Sequence, residues 1–330
     1  MSARRVLVTG GGGYIGSHMV VALEEAGYAP IILDDFRNSA PRIAERLGAP
    51  IERGSTHDAA LLRDVFARHA PVAVMHFAAL AYVGDSVREP GAYFHNNVAG
   101  TLTLLEAMRE AGVDKFVFSS TCATFGTPDV EAIDEATPQR PINPYGQSKL
   151  MVEQILREYD RAHGLRSIAL RYFNAAGAHP SARIGERHDP ETHIVPLAIR
   201  SAMGAGELSI FGDDYPTPDG TCVRDYVHVC DLASAHLLAL EALLAGGASD
   251  AYNLGTGRGH SVREVVGAVE RAVGKPVTLR IAPRRPGDPA VLVANAEKAR
   301  RVLGWAPRYP TIDAIVETAF RWHARDNLET

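Results

Sequence analysis

The chain has 330 residues, 46% of them hydrophobic and 22% charged, with a net charge of −5. That balance is ordinary for a soluble globular protein and excludes a disordered or low-complexity chain. It also argues against a general nucleic-acid or anionic-membrane binder, which carries the opposite sign over a broad face, so any anionic ligand must be held by a few placed arginines.

Cys122, Cys222 and Cys230 are the only cysteines. An odd count without a C-x-x-C spacing fits neither a disulfide framework nor a structural zinc site, and a reducing compartment suits it best. After Arg4-Arg5 only Val6-Leu7-Val8 precede Thr9-Gly10, too short a run for a signal-peptide core. No apolar stretch is long enough to span a bilayer. The chain is read as soluble and cytoplasmic, with no membrane or nucleic-acid partner.

The strand Val6-Leu7-Val8 leads into a helical pattern through Ile15, Met19, Val20 and Leu23. Ile31-Ile32-Leu33, a helix near Asp58–His69, and the run Val72–Phe77 follow. A long helix is expected from about Ala92 to Ala111, then Phe116-Val117-Phe118, a helix from about Tyr145 to His163, and Ser167–Leu170. Near-continuous apolar strands alternating with helices give a parallel sheet covered on both faces, the doubly wound Rossmann α/β pattern. The rhythm breaks after Asn174. Residues 178–221 are rich in Gly, Pro, His and Asp, with one helix near Ile194–Met203; a strand-helix pattern returns at Val223–Leu244. We expect a dinucleotide-binding domain over 1–177, with 223–255 returning to it. A smaller, irregular α/β C-terminal substrate lobe is expected from 178–222 and 256–330. Without a Gly/Ser linker the lobes pack closely, with the site between them.

Gly10, Gly13 and Gly16 follow the first strand and open the first helix. Without Cβ atoms the backbone can turn tightly and approach a pyrophosphate seated on the helix N-terminus. The G-x-x-G-x-x-G spacing is one residue longer than the usual fingerprint. Any strand-to-helix turn can use Gly; Asp34, ending the second strand 18 residues after Gly16, supplies the ribose-binding acid that turns the reading to a dinucleotide. Asp34 and Asp35 repel a 2′-phosphate and favour NAD over NADP; Arg37 argues the other way.

Tyr145 and Lys149 lie four apart, on one helical face. A phenol of pKa about 10 is a poor base at neutral pH. A neighbouring ammonium favours the phenolate, as does the positive nicotinamide of NAD⁺. Such a pair can take a proton from a substrate hydroxyl while hydride leaves the same carbon. A Tyr and a Lys on an ordinary surface helix is the plain alternative. Chain order weighs against it, because the pair opens the helix after the fourth apolar run. Ser119, Ser120 and Thr121 end that run, where such sheets bind ligands. A hydroxyl there can bond the reacting oxygen and pass a proton to Tyr145, although Ser119 and Ser120 could equally be strand-end caps. Cys122 is read as a small packed thiol.

Glu186, His188, Glu191 and His193 invite a metal reading. Their spacing of two within each pair fits neither H-E-x-x-H nor one helix face, so they are read as a polar substrate loop leading into Pro196, with no metal site expected.

Taken together, LVTGGGGYIGSH, HFAA, NNVAGT, FSSTCATFG, NPYGQSKLMVEQIL, LRYFNAAGAHP, FGDDYPTPDGTCVRDYVHV, YNLGTG and APRRPGD resemble the extended short-chain dehydrogenase/reductase family, in detail its UDP-glucose 4-epimerase branch. The resemblance runs nearly end to end. It implies NAD held tightly, oxidation of the sugar at C4 to a 4-keto intermediate, rotation of that sugar, and hydride return to its other face. UDP-glucose would thereby interconvert with UDP-galactose. It makes Tyr145 the base, Lys149 its tuner and a ribose ligand, and Thr121 the strand-end hydroxyl. It puts Gly10, Gly13, Tyr14, Ile15, Gly16, Asp34, Asn38, Ser39, Phe77, Asn97, Ser119 and Phe173 at the cofactor. Asn174, His193, Ile194, Phe211, Arg224, Arg285, Asp288 and Leu292 fall at the UDP-sugar. A diphosphate needs Arg forks; alone, Arg224 beside Asp225 or Arg285 near Asp288 would read as surface ion pairs. The resemblance also implies a homodimer through the 92–111 and 145–163 helices, whose apolar stripe could equally pack within the domain.

Departures from the pattern are specific. Ser55 stands where many members place an Asp against adenine, and Ala81 where some place a Lys near the cofactor pyrophosphate. Phe125 replaces a frequent Tyr. Leu292 is intermediate between the Tyr and the smaller residues that set sugar-pocket width, so the resemblance leaves UDP-GlcNAc open as a substrate. The sequence does not separate this activity from 4-epimerisation of UDP-xylose or UDP-glucuronate. A nucleotide-sugar dehydratase would carry an acid directly after Thr121; Cys122 and Ala123 stand there instead. A non-catalytic NAD-binding protein could lose the base, yet Thr121, Tyr145 and Lys149 are all present.

Overall fold

The computed structural model describes residues 3–285 and 288–326. Its first half runs β1 (Arg5–Thr9), α1 (Tyr14–Glu25), β2 (Ala29–Asp34), α2 (Pro41–Leu47), β3 (Ile51–Arg53), α3 (Ala59–His69) and β4 (Ala73–His76). Then come α4 (Val83–Arg88), α5 (Pro90–Tyr93), a π-helical turn (Phe94–Ala99), α6 (Gly100–Glu110), β5 (Lys115–Thr121), α7 (Pro144–His163) and β6 (Arg166–Tyr172). The second half comprises β7 (Asn174–Ala176), α8 (Ile194–Ala202), β8 (Leu208–Phe211), β9 (Val223–His228), α9 (Val229–Leu244), β10 (Asp250–Leu254) and β11 (Gly259–Ser261). It ends with α10 (Val262–Val273), β12 (Leu279–Ala282), β13 (Val291–Leu292), α11 (Glu297–Leu303) and α12 (Ile312–Asp326).

Seven parallel strands form the main sheet in the order β10-β6-β5-β4-β1-β2-β3. The order reverses between β1 and β4, and ligands of such sheets bind at that crevice, beyond the strands' carboxyl ends. Both faces are apolar because neighbours along each strand alternate. Val6, Val8, Ile32, Met75, Val117, Ile168 and Leu170 pack under α1 and α9. Leu7, Ile31, Leu33, Val74, Phe116 and Phe118 pack under α3, α6 and α7.

The expected single helix at 92–111 is three pieces, α5, the π turn and α6, and no residue pattern marks the inserted turn. The short β3 makes Phe116–Phe118 the fifth strand of the chain rather than the fourth. Within 223–255, β10 joins the main sheet beside β6 and α9 covers that sheet. The strand β9 lies instead in a second sheet with β7, β11 and β13. A third core, built from α8, α10 and α12, supports that lobe.

Candidate active site

The turn after β1 is shaped for close approach. Gly10 sits at φ 71°, and a Cβ there would lie 2.6 Å from the Ala78 nitrogen. At Gly16 a Cβ would meet the Gly10 carbonyl at 2.1 Å, so the start of α1 packs directly on the loop. The helix opens at Gly13 without a side-chain cap, which leaves its N-terminal N–H groups and dipole for an anion. Asp34 accepts the Gly12 N–H at 2.9 Å, the Phe36 N–H at 2.8 Å and the Ser39 hydroxyl at 2.9 Å. Burial raises its pKa from the usual value, against those hydrogen bonds. Asn38 is exposed in the same turn, and Arg37 reaches Asp35 at 3.6 Å. These groups fit a dinucleotide: a bare-backbone anion cradle, then a carboxylate beneath it where a ribose would sit.

Tyr14 does not use its hydroxyl here. The ring is 9% exposed, and its O–H donates to the Gly177 carbonyl at 2.6 Å, tying α1 to the segment after β7. Its neighbour Ile15 packs on the core. Across the crevice, Asn97 lies in the π turn. Its amide donates to the Leu80 carbonyl and the Ser148 hydroxyl, both at 3.0 Å, and its carbonyl accepts the Leu80 N–H at 2.8 Å. Phe77, at the end of β4, is half-buried against His236.

The reacting groups come from β5 and α7. Pro144 opens α7 and the Asn143 side chain caps it by accepting the Gly146 N–H at 2.8 Å. A Cβ at Gly146 would meet the Ala123 carbonyl at 2.4 Å, so the first turn of α7 lies flush against the chain leaving Thr121. This places Thr121 beside Tyr145: the Thr121 hydroxyl accepts the Ala123 N–H at 3.1 Å, in the segment on which Gly146 packs, and it works to lower the pKa of the phenol. One turn on, Lys149 is 3% exposed; its ammonium donates to the Ser119 carbonyl at 2.9 Å and lies 4.9 Å above the Phe118 ring. Burial brings the Lys149 pKa down to about 7, with Glu153 pulling the other way. Burial pushes Tyr145 up, with Tyr172 adding to the rise. Each group is thus costly to ionise alone, and opposite charges on two groups one helical turn apart favour each other. The Cys122 thiol is held up at about 11 by burial, a poor nucleophile.

Under this pair lies a network absent from the sequence reading. Arg171 and Glu153 form a buried ion pair at 2.6 Å, with side chains 5% and 3% exposed. The Ser120 hydroxyl donates to Glu153 at 2.6 Å, and Gln139 bonds both partners. Tyr172 faces Thr121 in the β5–β6 register, and its hydroxyl bonds Ser119. The signal for Tyr172 in the sequence is its strand-end position, directly before Phe173-Asn174. Phe173 itself is 5% exposed in a cluster with Phe125, Ile133 and Ala294, so it offers the cleft chiefly main chain.

The second lobe supplies the far wall. Asn174 donates to the Asp225 carbonyl at 2.9 Å, fixed by the β7–β9 pairing. The Arg285 guanidinium stacks on the Phe211 ring at 3.8 Å, and Arg224 is ion-paired with Asp288. The pairing is not the local one considered from sequence. Asp225 is buried and accepts Thr256, Gly257 and Ala294 N–H groups, which takes it away from Arg224. Four residues assigned to one ligand thus form two contacting pairs. Leu292 packs against the cluster containing Phe125, Ile133 and Phe173.

A model of the NAD dependent epimerase/dehydratase family matches residues 6–255. The chain belongs to that family. It is 52% identical over 328 residues to the UDP-glucose 4-epimerase of Rhizobium meliloti, covering 99% of both chains. Among solved structures it resembles the UDP-glucose 4-epimerase of Brucella ovis in complex with NAD, with a TM-score of 0.94 and 47% identity over 97% of this chain and 98% of that one. A Bifidobacterium longum UDP-glucose 4-epimerase in complex with NAD⁺ and UDP gives a TM-score of 0.92 at 42% identity, covering 98% and 99%. Membership of an NAD-dependent epimerase/dehydratase family accounts for the cradle and Asp34 together.

Ser55, which stands where many members place an Asp against adenine, accepts the His57 N–H at 3.2 Å through its hydroxyl and serves its own turn. The loop after Gly185 behaves differently from its spacing. Glu186, His188, Glu191 and His193 each bring one donor atom to a common point, all within 4.8 Å of one another. The spacing argument presupposes a regular helix, and these residues lie in an irregular loop that turns back on itself. Burial raises the Glu186 carboxyl, but His193 and His188 outweigh it and hold it at about 2. His193 is therefore engaged with Glu186, while Ile194 begins α8 against the third core.

Proposed function

We propose that the protein interconverts UDP-glucose and UDP-galactose by reversible oxidation at C4 of the bound sugar. The observation that carries the reading is the Thr121–Tyr145–Lys149 arrangement at the carboxyl end of β5, beside the dinucleotide cradle. When bound, NAD supplies a hydride acceptor that gives the hydride back. Gly10, Gly13 and Gly16 admit its diphosphate to the start of α1, and Asp34 takes a ribose. Tyr145 accepts the proton of the C4 hydroxyl, directly or across Thr121, as the C4–H bond breaks, and returns it when that bond re-forms on the opposite face. Lys149 stabilises the phenolate formed from Tyr145.

Arg224 and Arg285 hold the UDP diphosphate, and Phe211 and Asn174 line the same wall. Asp288 is the anion that the substrate diphosphate displaces from Arg224. Turning of the keto sugar needs the anchor to hold the nucleotide while the hexose stays loosely held. Cys122 and Ala123 follow Thr121, so no carboxylate stands there to drive elimination, which favours epimerisation over dehydration. Leu292 leaves room for a second substrate reading, UDP-GlcNAc, which is tested by turnover of that sugar nucleotide.

Cytoplasmic residence and a homodimer through the α5–α6 and α7 helices belong to the same reading. No helix among the described residues is long and apolar enough to cross a membrane. The helical face carries Leu102, Glu106 and Tyr159 around a surface hollow; elution at monomer size would overturn the dimer. The mechanism is tested with UDP-galactose deuterated at C4. Retention of the label in UDP-glucose is expected; washout into solvent would end the proposal.

A further inference from the structure

The side chains of Glu186 and Glu191 are each 4% exposed, and they stand next to one another. Two buried carboxylates at one point require compensating positive charge or a cation. Facing them are His188, whose Nδ1 lies 3.2 Å from Glu186 Oε1 and 3.7 Å from Glu191 Oε2, and His193, whose Nδ1 lies 3.8 Å from Glu191 Oε1 and contacts Glu186. His188 Nδ1 is buried without a well-formed hydrogen bond. Tyr14 and Tyr82 flank its ring, at 6.3 and 6.1 Å, and contribute no charge.

We propose that Glu186, His188, Glu191 and His193 form a binding site for a borderline divalent cation of the zinc type. Two imidazole nitrogens and two carboxylate oxygens are a zinc-like donor set. With metal–ligand distances of about 2.0–2.2 Å, a tetrahedron has edges of roughly 3.3–3.6 Å. The two separations from His188 Nδ1, 3.2 Å to Glu186 Oε1 and 3.7 Å to Glu191 Oε2, bracket that range, and the four donors lie within 4.8 Å of one another. The His193–Glu186 approach is too close, and His193 has the freedom to withdraw because its side chain is 52% exposed. Calcium and magnesium do not suit the site, since they call for six or more ligands and prefer oxygen.

All four ligands come from the protein, so the site is closed and structural rather than catalytic. It would staple the 186–193 loop to the start of α8. The loop is already fastened from the other side, where the Trp322 indole N–H donates to the Glu186 carbonyl at 2.9 Å. The cation would thus join the turn beside Tyr14 to the second lobe.

The test uses the full-length protein treated with chelator and then titrated with Zn²⁺, and separately with Co²⁺ and Mg²⁺, by calorimetry and visible absorption. The expected result is one Zn²⁺ per chain, an intense tetrahedral d–d band with Co²⁺, no binding of Mg²⁺, and tighter binding as pH rises because the imidazoles must lose protons. Zn²⁺ should also raise the thermal midpoint of the wild type by mass action. His188→Gln and Glu191→Gln, each checked for native circular dichroism, should weaken binding at least tenfold and lose the thermal shift. A wild type that binds no Zn²⁺ overturns the proposal and leaves a hydrogen-bonded charge cluster. Equal binding by wild type and both variants also overturns it, because the cation then sits elsewhere.

Discussion

The two walls of the cleft are built differently. On the sheet side the reacting groups come from one strand end and one helix turn, with Thr121, Tyr145 and Lys149 locked against Ser119 and Ala123. On the lobe side Asn174, Phe211, Arg224, Arg285 and Asp288 come from separate strands and loops; Arg224 is paired with Asp288, and Arg285 is stacked on Phe211. Chemistry needs fixed geometry, so it sits where backbone packing leaves little freedom. Recognition of a charged ligand can use side chains that exchange a protein partner for the ligand. The comparison predicts that changes on the first wall act on turnover or on the fold, and changes on the second act on binding.

The largest effect is expected from Tyr145→Phe. Turnover of UDP-galactose should fall by roughly 10²–10⁴-fold, the usual worth of a positioned acid/base group, with nicotinamide absorbance retained in the purified protein. Near-normal turnover would break the division of labour at its first wall. Next is Glu153→Gln, which removes one partner of the buried pair and leaves Arg171 uncompensated. A loss of about 3–5 kcal/mol in unfolding free energy is expected, measured by urea denaturation. A change under about 1 kcal/mol would mean that solvent reaches the pair.

Arg224→Ala tests the second wall. UDP affinity should drop roughly 10–100-fold, the worth of a charge-assisted contact, while NAD affinity is unchanged; calorimetry with each ligand separates them. Equal losses for both ligands would merge the two walls. The smallest effect concerns pH. The folded-state pKa of Lys149 is lowered to about 7, so between there and the unfolded value of about 10.4 the unfolded chain binds more protons. The cost of burying the charge is full below about 7 and is relieved as pH rises, so this residue makes stability climb with pH. Denaturation midpoints at about pH 7 and about pH 9 should therefore diverge less in Lys149→Met than in the wild type, both freed of cofactor.

The same contrast governs how much could be read from sequence. Glycine spacing, the acid after the second strand and the Tyr–Lys turn are local patterns, and local patterns survive in a linear text. The strand periodicity likewise gave the parallel sheet, because each strand buries both faces. Glu153 and Arg171 are 18 residues apart and meet only through the α7–β6 packing, and nothing in either neighbourhood marks them as a pair. Arg224 and Asp288 are 64 apart, and the nearest acid in sequence, Asp225, was the wrong partner. The gathering of Glu186, His188, Glu191 and His193 was hidden for another reason, since spacing rules presuppose a regular helix and these residues lie in an irregular loop. The π turn that carries Asn97 left no compositional trace at all.

The last strand of the main sheet, β10, is separated from its neighbour β6 by the whole excursion through α8, β8, β9 and α9. During synthesis the hydrogen-bonding edge of β6 therefore stays open until residues 250–254 have left the ribosome. A chain halted after 177 would expose that edge, and exposed strand edges recruit other chains. The dinucleotide half is for this reason not a separable module: its completion depends on a segment that the lobe delivers late, and truncated products are expected to clump rather than fold.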